Sequence, residues 1–248
     1  MIPRSLKPVL FGFLAAAGSI ALAGCTSSSI PYADLRVIHA SSLAPNVDVK
    51  FGDDLAAGNL AFGNATTYAI LPATQSRALD IYAAGQDGIP VFATTTTLAT
   101  NSVLSVFALG TVSHLTPVIY VEDGTVDAAT PASGSVKIRV VHGSYLAGPV
   151  DVYVTAPGTT LSASSVPTIS NFVFGTITKY LTVPAGSYEV QVTPHGSLTA
   201  AITVPSITLA SGQLYTAIAV DPTATNPAPG VVLLNDPAVP TGTITAPK

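Results

Sequence analysis

Two histidine–aspartate pairs recur at one spacing. His39 and Asp48 lie nine residues apart, as do His142 and Asp151, and a serine follows each histidine by two (Ser41, Ser144). Serine, histidine and aspartate together are the set a nucleophilic hydrolase uses: the hydroxyl attacks, the imidazole takes its proton, and the carboxylate orients the imidazole. Each serine, however, sits beside its histidine without the strained Gly-x-Ser-x-Gly turn that presents such a nucleophile. The set also occurs twice. A structural role fits better. With His and Asp at adjacent strand ends, an imidazole N–H bonded to the carboxylate would pin the connection between them. No catalytic residue is assigned, and a lipid-anchored hydrolase using the His/Asp pairs stands as the alternative.

Other groups are weaker. Asp53, Asp54, Glu122, Asp123 and Asp127 supply oxygen donors in loops, which calcium favours, but no EF-hand spacing is present. A calcium-stiffened stalk built on the last three is a further alternative; solvated turn acids are the simpler reading. His114 and His195 are single turn residues without zinc-ligand spacing. No phosphate-cradling glycine loop or dinucleotide fingerprint occurs. No metal and no cofactor are expected. Among nine tyrosines, with no tryptophan, Tyr145 and Tyr153 are the best exposed candidates for a ligand platform.

Cys25 is the only cysteine. Ahead of it stand Arg4 and Lys7, then a thirteen-residue uncharged apolar run, Val9 to Ala21. That run is short for a membrane span and right for a signal-peptide core. Leu22-Ala23-Gly24-Cys25, followed by the polar run Thr26 to Ser29, resembles the bacterial lipobox. The resemblance implies cleavage before Cys25, diacylglycerol on its thiol and an acyl chain on its amine. Several chains make a stable anchor at roughly 0.8 kcal/mol per buried methylene. Thr26 in place of Asp implies sorting to the outer membrane in a diderm host. Without residues 1–24 the chain carries seven Lys and Arg against thirteen Asp and Glu, a net of −6. That balance, with no basic stripe, speaks against nucleic acid and against electrostatic adhesion to anionic lipid.

The elements that must position these residues come in two copies. Arg36 to Val49 and Arg139 to Val152 agree at nine of fourteen positions without a gap. The match continues through Phe62-Gly63, Tyr68 and Pro72-Ala73 against Phe174-Gly175, Tyr180 and Pro184-Ala185, and to Asp123 against Asp236. The offset grows from 103 to 112, so the second copy holds nine extra residues, placed in a surface loop at 156–171. The composition is 48% apolar and 9% charged, rich in Val, Thr, Gly and Pro, which suits short strands and turns. Strands are expected at 35–39, 47–51, 67–71, 78–83, 91–98, 103–109 and 118–122. The second copy repeats them at 136–142, 150–155, 180–183, 187–193, 199–208, 214–220 and 231–234. About seven strands per hundred residues read as an antiparallel β-sandwich.

Arg-Val-x-His-Ala/Gly-Ser, then Val-Asp-Val, Phe-Gly, Tyr and Val-Pro-Ala-Gly-Ser-Tyr, with a last strand ending in Asp, resembles the bacterial domain of unknown function 4397 (DUF4397). The first copy departs at Ala73-Thr74-Gln75. The resemblance implies immunoglobulin-like sandwiches in tandem on an exported protein and brings no established activity. The expected organisation is signal peptide 1–24, lipidated Cys25 and tether 25–33, sandwich 34–123, linker 124–134, sandwich 135–236 and tail 237–248. The expected fold class is all-β, two tandem immunoglobulin-like antiparallel β-sandwiches after a lipoprotein signal helix. The expected role is a non-catalytic lipoprotein of the bacterial cell envelope, anchored in the membrane through Cys25. It would act as a spacer or contact module for an unidentified envelope protein or glycan.

Overall fold

The structure, a computed structural model, describes residues 30–123 and 130–241. The signal segment, Cys25 and the linker acid Asp127 lie outside the described residues. The first half forms β1 (Tyr32–His39), β2 (Val47–Phe51), β3 (Asp54–Leu60), β4 (Ala69–Pro72), β5 (Ser76–Ala83), β6 (Phe92–Thr97), β7 (Val103–Leu109) and β8 (Thr116–Val121). The second half repeats this as β9 (Ser135–His142), β10 (Val150–Thr155), β11 (Ile169–Phe172), β12 (Leu181–Pro184), β13 (Gly186–Pro194), β14 (Ile202–Leu209), β15 (Leu214–Val220) and β16 (Gly230–Asp236). A 3-10 turn, Val112–His114, precedes β8.

Each half is a sandwich of two four-stranded sheets. Sheet β4-β1-β7-β8 faces β3-β2-β5-β6, and β12-β9-β15-β16 faces β11-β10-β13-β14. The first strand of each copy runs parallel to the seventh, β1 with β7 and β9 with β15; the other pairings are antiparallel. Alternation explains the layers. On β2, Val47, Val49 and Phe51 are buried while Asp48 and Lys50 point outward.

Two strands were not foreseen, and they are counterparts: β3 and β11. Both are edge strands with register shifts against their neighbour. Each carries an asparagine in the left-handed region, Asn59 at φ 49° and Asn171 at φ 52°. Gly, Asp and Asn in such bulged strands read as turn residues. In the second copy the extra residues therefore form a loop at 156–168, and the rest of the expected loop is strand β11. The loop lies against the outer face of its sheet, where Gly158 N–H donates to Glu189 at 2.6 Å and the Gln191 amide donates to Thr159 O at 2.8 Å. Tyr153, expected to be exposed, is buried on that face at 4%.

The two interiors differ. Pairing of Val49 with Ile81 and of Val152 with Val192 makes Phe51 the counterpart of Val154, and Leu79 that of Val190. Pairing of Arg36 with Ser105 and of Arg139 with Thr216 makes Val106 the counterpart of Ala217. Phe51, Leu79 and Val106 are fully buried in the first core. Their smaller counterparts leave an apolar cavity of about 260 Å³ between the sheets of the second sandwich.

The sandwiches lie back to back. Ile38, Phe107 and Leu109 of the first pack against Val141, Ile218 and Val220 of the second in one apolar cluster. The sequence treats the copies as units each reliant on its own core; the structure gives them a third core in common.

Candidate functional site

The histidines end β1 and β9, point into their own sandwiches and are fully buried. His39 Nε2 donates to Pro45 O at 3.0 Å, and its Nδ1 accepts the Ser41 N–H at 3.4 Å. His142 Nε2 donates to Gly148 O at 3.2 Å, and its Nδ1 has no partner among the described residues. These contacts fit the tautomer with the proton on Nε2. Burial lowers both imidazole pKa values, against the opposing pull of the carbonyl bonds.

Neither histidine meets its aspartate, which corrects the expected pairing. Asp48 and Asp151 sit on the opposite sheet of each sandwich and point away from the core. Asp48 accepts the N–H groups of Asn59 at 2.6 Å and Gly85 at 2.8 Å. Asp151 accepts the N–H groups of Asn171 at 2.8 Å and Gly196 at 2.9 Å, the Ser170 hydroxyl at 3.1 Å, and His195 Nδ1 at 2.8 Å. Burial would raise the Asp151 pKa, but these four donors together hold it well below the usual carboxylate range. The aspartates thus tie their hairpins to the edge-strand asparagines, and the His–Asp contact that forms is Asp151 with His195.

The serines are not placed as nucleophiles. The Ser144 hydroxyl donates to Asp221, which also accepts the N–H groups of Tyr145 at 2.8 Å and Leu146 at 2.9 Å. In the first copy Gly110 stands where Asp221 would be, and the buried Ser41 hydroxyl has no partner among the described residues. The calcium set is dispersed: Asp54 pairs with Arg77 at 2.6 Å, and Glu122 is fully buried against Arg139 at 2.9 Å. Tyr145 is 41% exposed; its ring stacks on His114 of the first copy, with centroids 4.3 Å apart.

The densest polar constellation was missed by sequence reasoning. It lies between the sandwiches. Arg36 Nε donates to Ser105 Oγ at 2.8 Å and its Nη1 to Asp236 at 2.9 Å. Arg139 Nε donates to Thr216 Oγ1 at 2.8 Å and its Nη1 to both Glu122 oxygens at 2.9 and 3.0 Å. The Ser105 hydroxyl donates to Glu122 and the Thr216 hydroxyl to Asp236. The six side chains close a ring with two positive and two negative charges, and the charged members are at most 1% exposed. Tyr180 adds a 2.5 Å bond to Asp236. The Arg139 guanidinium also lies over the rings of Tyr180, Phe107 and Tyr120, at 4.7, 5.2 and 5.3 Å. Burial opposes the charge on Arg36, but Asp236 and the neighbouring Tyr68 and Tyr180 raise its pKa. Burial pushes the Tyr68 phenol up to about 12.

A signal for this ring was present: each repeated segment opens with an arginine inside an apolar strand. The counterpart of Asp236 is Glu122, one residue before the sequence-matched Asp123, because Glu122 N–H bonds Val103 O where Asp236 pairs with Leu214. Asp123 instead faces Lys179, 3.9 Å away.

No curated protein matches the chain. A family model described as domain of unknown function (DUF4397) matches residues 33–153 and again 154–245. Its internal boundary falls inside β10, whereas hydrogen bonding joins all of β9 and β10 to the second sandwich. The sheets are the better guide to where one folding unit ends, since they record which backbone groups are satisfied together. The twofold match covers most of the sequence, and the chain belongs to the DUF4397 family, carrying tandem copies of its domain.

Proposed function

We propose that the chain is a non-catalytic, lipid-anchored protein of the bacterial cell envelope. Its two sandwiches act as one stiff body, a spacer that also offers surfaces to an envelope protein or glycan. The observation that carries this reading is the buried ring Arg36–Ser105–Glu122–Arg139–Thr216–Asp236. A charged ring of this kind tolerates little relative motion, because any opening would strand ions in an apolar setting. The repeated histidines and aspartates, with Ser144, support it as well, since they serve backbone carbonyls, loops and hairpins. The anchor is inferred from Leu22-Ala23-Gly24-Cys25 and the preceding apolar run. Among the described residues no helix is long and apolar enough to cross a membrane.

The test is the mass of the mature N-terminal peptide from cells, with and without Cys25→Ala. The reading requires a chain beginning at an acylated Cys25, and an unacylated variant released from the membrane fraction. An unmodified Cys25, or membrane retention of the variant, overturns the anchor.

A further inference from the structure

The cavity of the second sandwich is where the copies depart most from their shared plan. We propose that this sandwich is a receptor for a fatty acyl chain, admitted between edge strands β11 and β12. The proposal is independent of the anchor at Cys25.

The lining has one chemistry. Val140, Val152, Val192, Ile207 and Leu209 are typical of it, and the aromatic contributions are Phe172 and Tyr188. The polar side chains on the wall are engaged: the Tyr188 hydroxyl donates to Pro184 O at 2.7 Å, and Thr168 Oγ1 accepts the Val154 N–H at 3.1 Å. A guest with polar atoms inside would leave them unpaired, so the occupant is hydrocarbon there and keeps its headgroup in water. Apolar cavities somewhat smaller than this one stay dry and take up hydrocarbon. Its 260 Å³ is roughly eight or nine times the ~30 Å³ a water molecule takes up in the liquid, room for a short run of methylenes. Facing sheets about 10 Å apart leave a slot one side chain deep, which fits an extended chain rather than a fused ring.

The entrance follows from the insertion. In the first sandwich β3 packs across onto β1 and β4, and Ala56 and Ala57 seal that edge at 6% and 4% exposure. The asparagine match places Thr168 and Ile169 at those positions in the second copy. There the extra residues form a loop, and the edge strand shrinks from seven residues to four. The opposite edge is closed by β14 against β16. Cavity-lining Val154 and Leu181 are exposed at 36% and 42%, which puts the mouth on the β11/β12 side.

A free fatty acid and a phospholipid tail share this chemistry, and the experiment separates them. The protein is the chain from residue 26 onward, which keeps every described residue, stripped of lipid. Titration with decanoate is followed by calorimetry and melting; flotation with phosphatidylcholine vesicles is the second arm. Saturable one-to-one decanoate binding that raises Tm is expected. Val154→Phe with Ala217→Val, which restores the first copy's residues, should weaken it at least tenfold. Decanoate binding without flotation identifies a free fatty acid as guest; flotation lost in the filled variant identifies a membrane lipid. Neither binding nor flotation overturns the proposal, as does binding unchanged in the folded variant. Should that variant not fold, methyl NMR of the parent decides. Decanoate must shift Val152 and Val192 and leave their counterparts Val49 and Ile81 in place; the reverse pattern overturns it.

Discussion

Replacing Arg139 by methionine tests the junction most directly. The change keeps an unbranched apolar stem and removes the guanidinium. Glu122 loses both Nη1 bonds, at 2.9 and 3.0 Å, and keeps the Ser105 hydroxyl; Thr216 loses its 2.8 Å donor. Glu122 is fully buried, so water cannot replace what is lost. Stranding one member of a buried ion pair costs about 3–5 kcal/mol, a large part of a total stability of roughly 5–15 kcal/mol. For a unit of this size that corresponds to a fall in Tm of roughly 10 °C. The assay is urea unfolding of the chain from residue 26, followed by circular dichroism and tyrosine fluorescence. The double variant Arg139→Met with Glu122→Leu removes both charges and should recover to within about 1 kcal/mol of the parent. A loss under 1 kcal/mol for the single variant would refute the reasoning, as would a double variant no better than the single.

Three further outcomes are expected. Gly143→Ala places a Cβ 2.9 Å from Ala219 O and 3.2 Å from Leu109 Cδ2 at the junction, so it should destabilise by about 1–3 kcal/mol by urea unfolding, although the first copy carries Ala40 there. Stability should fall as pH drops below about 6.5, because the unfolded chain takes up protons that buried His39 and His142 resist. A second fall should come below pH about 4, where unfolded Asp151 protonates and the folded carboxylate does not; denaturation curves at stepped pH would show both, with His39→Gln and His142→Gln flattening the first. Thr74 is β-branched at φ 67°, where the second copy has Gly186, so Thr74→Gly should be neutral to stabilising by up to about 1 kcal/mol, and a clear drop in Tm would count against strain there.

Local pattern carried much of the fold. The bounds of β2 and β10 were legible because apolar alternation and β-branched residues agree there, and those of β7 and β15 because each is a near-continuous apolar run between turn residues. Strands β3 and β11 were not, since their bulged backbones use the residues that elsewhere make turns. The site was less legible for a different reason. Arg36 and Asp236 are 200 positions apart, and nothing in a linear pattern says which outer faces will meet. The one-residue difference between Asp123 and Glu122 shows the limit: in a strand, one step exchanges the inner for the outer face. The histidine–aspartate spacing misled because nine residues join two strands that lie in opposite sheets, with side chains turned apart.

The reciprocal arginines imply something about origin and assembly. In a two-fold homodimer one patch contacts its own image, so residue i meets j while j meets i. Here Arg36 meets Asp236, which ends the other copy's last strand, and Arg139 in return meets Glu122, the residue that follows the first copy's last strand. The chain thus resembles a two-fold dimer written in tandem, and a lone first copy, holding both Arg36 and Glu122, would possess a self-complementary face that a second molecule of itself could satisfy.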